Sequence, residues 1–381
     1  MTANLQMSRR IRRTPFTSCV EKLGISGFTV VNHTLLPKAF SYSVEDDFFH
    51  LRAAVQVWDV GCQRQVEIEG PDALRLVQIM TPRNLENAKI GQCMYLPLTN
   101  DEGKIINDPI LLRLNTDKFW LSIADSDILL WARGLAIGMK LKVSVKEPDV
   151  SPLAVQGPSS QEVMVEVFGE GIKELGFFQF GFFKFNNTEQ VVARSGYSSQ
   201  NGYEIYLNDS SLGPELWDSI WKTGEKYNIR PGAPNLIDRI EAGLISFGND
   251  MTNKNTPLEC GLGKYCSLNS DTEFLGKEDL IKEKSIGSKS QMRGIIFGGK
   301  SQSACTEPWP VLKGDVNIGQ ITSGIFNPNL RVNTGIALIE KGYWELGQRV
   351  GVVIGPDDIR EGYVCFLPFT APENNEIIRR I

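Results

Sequence analysis

Alternating apolar residues, and apolar residues at helical spacing, divide the chain into short strands and helices. Residues 64–69 (RQVEIE) alternate, which places Val66 and Ile68 on one face of a predicted strand. A Gly-Pro turn follows, and the apolar positions of 73–79 recur at helical spacing, with Asp72 placed to cap that helix. This segment therefore predicts a strand, a tight turn and a short helix.

The same order of elements occurs a second time. Residues 151–169 (SPLAVQGPSSQEVMVEVFG) predict an apolar strand, a Gly-Pro turn and a helix capped by Ser159. The two units lie about 90 residues apart, which fits an internal duplication. Gly-Pro is common before helices, so a chance match is an equally good interpretation.

Antiparallel strands and two longer helices are predicted in the rest of the chain. Residues 94–127 form a predicted three-stranded meander, and strands are also predicted at 176–185 and 189–209. Helical spacing covers 214–228 and 235–248, where a glycine closes the second helix.

The C-terminal part has a different pattern. About a hundred residues after the stretch 276–291 are rich in glycine and strand-like, which predicts a separate β unit. The stretch itself is charged and is the best candidate for a linker, although a solvated helix would have the same composition.

Composition and charge limit the classes of protein that fit. The 381 residues carry 40 Lys+Arg and 45 Asp+Glu, a net charge of -5, and 41% are apolar. At about 150 residues per domain this length predicts two or three compact units. The apolar content argues against disorder, and the acidic balance gives no electrostatic footprint for nucleic acid.

The usual metal ligands and catalytic bases are scarce. His33 and His50 are the only histidines, and the seven cysteines form no Cys-x-x-Cys motif, so we expect reduced thiols and no metal site. The basic stretch 1–13 leads into no apolar run, and no run of about 18 apolar residues occurs. We expect a cytoplasmic protein without membrane contact, with an amphipathic targeting sequence as an open alternative.

Eight sequence pieces in fixed order, from about Thr14 to Phe369, resemble the folate-dependent aminomethyltransferase (glycine cleavage T-protein) family. They are the opening segment up to VWDVG, VEIEGPDAL, YLPLTNDEGKIINDPILLRL, LAVQGP, RSGYSSQNGYEIYL, IDRIEAG, TPLECGLG and IGQITSGIFNPNL. The resemblance implies an α+β fold, a three-domain cloverleaf with ferredoxin-like antiparallel lobes, a C-terminal β-barrel or jelly-roll-like domain and a central folate channel. The implied domains are 1–57 plus 148–275, 58–147, and 276–381.

The resemblance also assigns tetrahydrofolate-binding residues. Asp108 matches the acidic residue that faces the pterin, and Tyr206 shares a strand face with Glu204. The full predicted set is Tyr95, Asp108, Ile110, Tyr197, Glu204, Tyr206 and Arg239. A reduced pterin presents N–H donors that a carboxylate accepts and a flat ring that packs on aromatic walls. Without the family context, Asp108 would be a turn residue and Arg239 an exposed helix charge.

Several positions depart from the aminomethyltransferase pattern. Asn107 replaces the first residue of an Asp-Asp pair, and Gly61-Cys62-Gln63 stands where the family has Ser-His after Asp-Val. Ser198-Ser199-Gln200 replaces Thr-Gly-Glu, Ala124 replaces Asn, and Lys264 replaces Trp. With IINDPILLRL and FWLSIADSD, they resemble the dimethylsulfoniopropionate demethylase branch of the family. That branch moves one methyl group from a sulfonium to N5 of tetrahydrofolate, giving 5-methyltetrahydrofolate and methylmercaptopropionate.

A sulfonium needs little acid–base catalysis, because its leaving group is a neutral thioether. We expect Asp108 to orient the pterin and to favour positive charge on N5, and not to be an obligatory base. Aromatic faces stabilise a sulfonium, and candidates are Tyr42, Trp58 and Phe178, although a place in the core is the commoner role for each of them. Ser122 is a candidate for the substrate carboxylate.

Three other functions stay open at this level. One is a true glycine-cleavage aminomethyltransferase, and another is demethylation of an aryl methyl ether or an N-methyl amine, whose leaving group would need an acid. The third is a folate-binding protein of the same fold without enzymatic activity. The expected partners are folate and a small sulfonium substrate, with a homodimer as one further expectation.

Overall fold

The computed structural model describes residues 7–381, so the predicted basic N-terminal stretch lies partly outside the described residues. No helix of this range is long and apolar enough to cross a membrane. The α-helices are α1 (Thr17–Lys22), α2 (Val44–Ala53), α3 (Ala73–Ile79), α4 (Ile128–Gly138), α5 (Ser160–Phe168), α6 (Gly213–Gly224), α7 (Leu236–Glu241), α8 (Lys277–Ile286) and α9 (Asn375–Ile378). The strands are β1 (Gly27–Val31), β2 (Thr34–Ala39), β3 (Val55–Asp59), β4 (Gln65–Glu69), β5 (Cys93–Tyr95), β6 (Leu98–Thr99), β7 (Ile105–Asn107), β8 (Ile110–Arg113), β9 (Lys118–Ser122), β10 (Ser144–Lys146), β11 (Val150–Gln156), β12 (Phe180–Phe185), β13 (Thr188–Ala193), β14 (Gly202–Asn208), β15 (Ile229–Gly232), β16 (Ser290–Phe297), β17 (Trp309–Lys313), β18 (Val316–Asn327), β19 (Val332–Glu340), β20 (Arg349–Gly355) and β21 (Asp358–Cys365).

The first lobe is built on a six-stranded sheet in the order β12-β13-β14-β11-β3-β15, in which only the β15–β3 pair is parallel. Side chains alternate along β14, so Tyr203, Ile205 and Leu207 enter the core formed with α5 and α6. Glu204 and Tyr206 lie on the opposite face of the sheet, which is buried against the second lobe.

The second lobe has a five-stranded sheet in the order β10-β4-β9-β8-β5, covered on one face by α3 and α4. The predicted strand and helix at 64–79 are present, but their predicted cap is wrong. The Asp72 carboxylate accepts a hydrogen bond from the backbone N–H of Lys142, 2.7 Å away, and forms no cap bond to α3. Ser159 likewise makes no side-chain cap to α5.

The third lobe is a closed barrel of six strands in the order β16-β19-β18-β17-β20-β21, as the C-terminal pattern predicted. Its interior is mainly aliphatic, with Ile295, Ile321 and Val352 among its members, and also contains the buried ring of Phe297. The charged stretch 276–291 is not an irregular linker, because its greater part forms helix α8. The two sheets and the barrel confirm the predicted α+β fold class.

Helix α7 is shorter than its apolar periodicity predicted. It ends at Glu241 and not near Gly248, because Gly243 adopts a φ of +68° and the chain turns away there. The backbone N–H of Leu244 then bonds back to the carbonyl oxygen of Arg239. In the released segment, the carbonyl oxygens of Leu244 and Ile245 accept hydrogen bonds from side chains.

Three charged residues of α7 tie the lobes together, and each is at least 90% buried. Asp238 accepts hydrogen bonds from Ser199 in the first lobe, at 2.8 Å from both its backbone N–H and its hydroxyl. Glu241 accepts from Arg52 of α2 and from Asn327 of the barrel.

Arg239, the charged residue between those two, is bound both within the first lobe and to the barrel. Its guanidinium pairs with Asp250 at 2.9 Å and donates to the hydroxyl of Ser323 in β18 at 2.6 Å. Asp250 also accepts from Thr322 of the barrel, at 2.9 Å. The charged face of one short helix therefore joins the first lobe to the barrel.

The proposed domain limits stay a prediction. We note that β3 extends to Asp59, so the sheet of the first lobe continues two residues beyond the predicted limit at 57.

We predict that Asp250→Asn destabilises the protein by about 3 kcal/mol, because it leaves the buried Arg239 guanidinium without a counter-charge. Urea unfolding measures this change. Glu361→Gln is the control, since Glu361 pairs with Arg349 on the exposed surface of the barrel and its loss should change little. Equal unfolding free energies for both variants would contradict the structural role of the buried pair.

Candidate active site

Asp108 is the centre of the candidate site. It follows β7 and accepts a hydrogen bond from the hydroxyl of Tyr95 at 2.9 Å. Protein atoms surround the carboxyl although part of its surface reaches solvent, and this burial raises the pKa of Asp108 to about 7. The bond from Tyr95 lowers the pKa in part, and the charge of Asp250 raises it further.

The neighbouring Asn107 fixes the position of Asp108. Its amide oxygen accepts from the backbone N–H groups of Asp108 and Ala124, at 2.9 and 3.0 Å. Its amide nitrogen donates to the carbonyl oxygen of Ala124 and to the hydroxyl of Ser126. All four bonding positions of this buried side chain are used, so the backbone at Asp108 has little freedom.

Tyr197 faces the same centre from the first lobe. Its hydroxyl lies 3.0 Å from the carbonyl oxygen of Ile245, in the segment released by the early end of α7. Burial raises the pKa of Tyr197 well above its usual value, an effect that Arg239 opposes and that Asp250 and Asp108 enhance. Arg239 itself is 6% exposed and bound to Asp250, so it is not the exposed helix charge that would be expected without the family context.

Two strand registers bring most of the predicted residues together. In the second lobe Tyr95, Ile110, Ser122 and Gln65 are consecutive cross-strand partners and therefore form one row on one face of the sheet. In the first lobe Glu204, Ala154 and Trp58 form a similar row. Trp120 and Tyr206, whose ring centres are 6.3 Å apart, pack between the two faces.

The polar groups between these faces are incompletely satisfied. Glu204 accepts from the hydroxyl of Ser195, and burial raises the pKa of Glu204. The hydroxyl of Tyr206 is buried close to Glu204 and Ser122, but it forms no hydrogen bond of good geometry with any described residue. Ser122 accepts from the amide of Gln65 at 2.9 Å, while the amide oxygen of Gln65 is also buried without a partner in the described range. Such groups are costly unless a ligand pairs with them.

Phe178 joins this cluster through an unusual backbone conformation. Its φ is +59°, which is rare for a bulky residue. Two backbone bonds hold it there: its N–H donates to the carbonyl oxygen of Arg194 at 2.9 Å, and its carbonyl accepts from Cys93 at 2.8 Å. The ring packs against the side chains around Tyr206.

The other two aromatic candidates, Trp58 and Tyr42, have contacts outside this cluster. Trp58 is buried, donates its indole N–H to Gln56 and packs against Leu51 and Val60. Tyr42 is 42% exposed, and its ring lies under the guanidinium of Arg230. The contacts of these two residues give no support to their predicted role in substrate binding.

Gln65 and Asp238 are residues of the site that the sequence did not indicate. Gln65 is a polar position in the alternation RQVEIE, which normally marks a solvent face, but this face is covered by the first lobe. Asp238 holds the loop that carries Tyr197 through its bonds to Ser199. Only the order of the lobes in space reveals either role.

Family comparisons agree with this fold and arrangement. The model of the GCVT N-terminal domain matches residues 18–270, and that of the glycine cleavage T-protein C-terminal barrel domain matches residues 291–370. The chain therefore belongs to the glycine cleavage T-protein family, as the ordered sequence pieces predicted.

Individual relatives refine this picture. The chain is 44% identical to dimethylsulfoniopropionate demethylase DmdA of Ruegeria pomeroyi, over 95% of this chain and 99% of that protein. An aminomethyltransferase of Caldanaerobacter subterraneus is 29% identical, over 80% and 82% of the two chains. The crystal structure of aminomethyltransferase T from Bartonella henselae superposes with a TM-score of 0.84 at 24% identity, covering 94% of this chain and 98% of that one, so the fold is shared.

We predict that Tyr206→Phe leaves the free energy of unfolding within about 1 kcal/mol of the parent value, because the lost hydroxyl has no partner in the protein. Ser195→Ala is the comparison, since it removes the donor to the buried Glu204 and should cost about 1 to 3 kcal/mol. Denaturant titrations measure both. A large loss of stability in Tyr206→Phe would show that its hydroxyl is bonded within the protein.

Proposed function

We propose that this protein is a tetrahydrofolate-dependent methyltransferase that demethylates dimethylsulfoniopropionate. The products are methylmercaptopropionate and 5-methyltetrahydrofolate. The observation that carries the proposal is the 44% identity, over almost the whole chain, to a dimethylsulfoniopropionate demethylase. The aminomethyltransferase relatives are markedly less similar.

The residues around Asp108 suit a reduced folate. The carboxyl of Asp108 bonds to one side chain, the Tyr95 hydroxyl, which leaves acceptor positions for the N–H donors of a pterin. Tyr95 and Tyr197 offer aromatic faces, and Ile110 adds an apolar wall beside Tyr95. Glu204 can accept from a second group of donors. We propose that Arg239 acts on this site by holding its wall to the barrel, through Asp250 and Ser323.

We propose that the sulfonium substrate binds between the two sheet faces. Phe178, Trp120 and Tyr206 are aromatic side chains, and a desolvated cation over such rings gains about 2 kcal/mol. The Tyr206 hydroxyl is a donor available to the substrate carboxylate. The Ser122 hydroxyl donates to the amide oxygen of Gln63 at 3.5 Å, and it would exchange this long bond for one to the substrate. This assignment accounts for the unpaired buried hydroxyl of Tyr206, because the substrate would supply the missing acceptor.

The methyl transfer is a single in-line displacement. The N5 lone pair forms the new N–C bond while the S–C bond breaks. The electron pair of the broken S–C bond stays on sulfur, which gives a neutral thioether. The proton of N5 leaves after the transfer. Alignment of the two partners at contact distance contributes about 7 to 11 kcal/mol to catalysis.

The protein residues then have limited tasks. Asp108 orients the pterin and stabilises the positive charge that develops on N5, while Asn107 keeps the carboxylate in place. The aromatic residues exclude water from the reacting atoms. No residue is required to protonate the leaving group, which fits a chain with two histidines.

Product analysis tests the proposed reaction. The purified protein is supplied with tetrahydrofolate and, in separate reactions, dimethylsulfoniopropionate, glycine betaine or an aminomethyl-lipoyl carrier. We expect equal amounts of methylmercaptopropionate and 5-methyltetrahydrofolate from the first donor alone. Formation of 5,10-methylenetetrahydrofolate from the carrier would instead identify an aminomethyltransferase, and folate binding without turnover would identify a binding protein.

We predict that Asp108→Asn lowers the single-turnover rate by about 100-fold, since it removes the charge next to N5. Asp101→Asn, an exposed position of the same hairpin, is the matched control. An unchanged rate in Asp108→Asn would exclude the electrostatic role.

The same group predicts the pH dependence. The pKa of Asp108 is raised to about 7, so the carboxyl is neutral below that pH and charged above it. We expect kcat/KM for tetrahydrofolate to rise with pH through about 7 and then to level off. The Asp108→Asn variant should lack this step, and a step of equal size in both proteins would assign it to another group.

The homodimer and the cytoplasmic location stay part of this proposal. Sedimentation equilibrium of the purified protein tests the first, and cell fractionation tests the second.

A further inference from the structure

A pair of cations lies next to the candidate folate site without a carboxylate partner. Arg83 is partly buried and Lys264 is exposed, and no carboxylate of residues 7–381 lies within 4 Å of either side chain. Both cations stand over the ring of Tyr265, each 5.0 Å from its centre. Their charged groups are therefore at most about 10 Å apart.

This cluster is built by two chain segments that are bonded to each other. The backbone N–H of Ser267 donates to the carbonyl oxygen of Pro82 at 2.8 Å, and the backbone N–H of Asn84 donates to the Ser267 hydroxyl at 3.1 Å. The side-chain amide of Gln78 donates a hydrogen bond to the carbonyl oxygen of Arg83 and so holds the turn that precedes it. These bonds hold the two backbone segments that carry the cations next to each other.

The cluster is continuous with the site around Asp108. The ring centre of Tyr265 is 5.2 Å from that of Tyr95, whose hydroxyl bonds to Asp108. Arg83 also donates to the carbonyl oxygen of Tyr95 at 2.7 Å. Asp108, Tyr95, Tyr265 and Arg83 are all partly buried, and Lys264 is exposed, so this line of side chains ends at solvent.

We propose that Arg83 and Lys264 form an anion subsite for the glutamyl carboxylates of the folate. The proposal rests on the proposed function, because a pterin held at Asp108 directs its glutamyl tail outward along this line. Carboxylates spaced a few ångströms apart match two cations at this separation. Lys264 stands where the aminomethyltransferase pattern has tryptophan, so the subsite is a feature of this chain. It predicts tighter binding of folates with a longer glutamyl tail.

The test compares three methyl acceptors: tetrahydropteroate, tetrahydrofolate monoglutamate and tetrahydrofolate triglutamate. Dissociation constants from calorimetry and KM values with dimethylsulfoniopropionate are measured for each. We expect affinity to increase along this series, and Lys264→Gln to reduce the advantage of the triglutamate about fivefold. Lys226→Gln is the matched control, because Lys226 is an exposed lysine 5.2 Å from a tyrosine ring in the first lobe.

Salt provides a second measurement that does not depend on a variant. In the parent protein, raising the ionic strength should weaken the binding of the triglutamate more than the binding of the pteroate. This difference should be smaller in Lys264→Gln. Equal affinities for the three acceptors, or an unchanged ratio in Lys264→Gln, would overturn the subsite. Because binding is measured apart from turnover, binding of all three acceptors without methyl transfer would instead contradict the proposed function.

Discussion

The structure depends on keeping charged groups of helix α7 paired inside the protein. Asp238, Arg239 and Glu241 would each be costly to bury alone, and each is paired with groups from a different part of the chain. Arg239 is held by Asp250 and by a barrel hydroxyl, so the junction of the lobes and the wall of the candidate site share the same bonds. The barrel is therefore needed for the geometry around Asp108, although it contributes none of the proposed folate contacts.

Much of the fold could be predicted because local patterns agreed with tertiary packing. The alternation in β14 and the C-terminal strands agree with the sequence pattern. The predicted meander is present as β5, β8 and β9, while β6 and β7 form a separate two-stranded sheet. The failures have a common cause, since a local pattern cannot show what covers it. Asp72 is a residue type that commonly caps helices, but its carboxylate accepts from the backbone N–H of Lys142 instead. Helix α7 had continuous periodicity but ended where the fold needed the carbonyl groups of Leu244 and Ile245.

The candidate site was predictable to the extent that it follows strand register. Tyr95, Ile110 and Ser122 form one row because their strands are neighbours, and Glu204 lies beside Tyr206 by alternation. The roles of Tyr42 and Trp58, which were chosen for their nearness to matched motifs, stay a prediction. Trp58 is adjacent in sequence to a matched motif and shares a row with Glu204, yet it is packed against Leu51 and Val60. Gln65 was missed because a buried polar face and a solvent face have the same sequence pattern.

The bonding of Asn107 has a consequence for how this site stores protons. A family pattern with two adjacent acids holds two titratable groups, whose protonation states would be coupled. In this chain the first position is a neutral amide that forms only structural bonds, and the second is the carboxyl that remains free to act. The pair Asn107-Asp108 therefore has a single proton to gain or lose. It titrates in one step, whereas two adjacent acids would titrate in two.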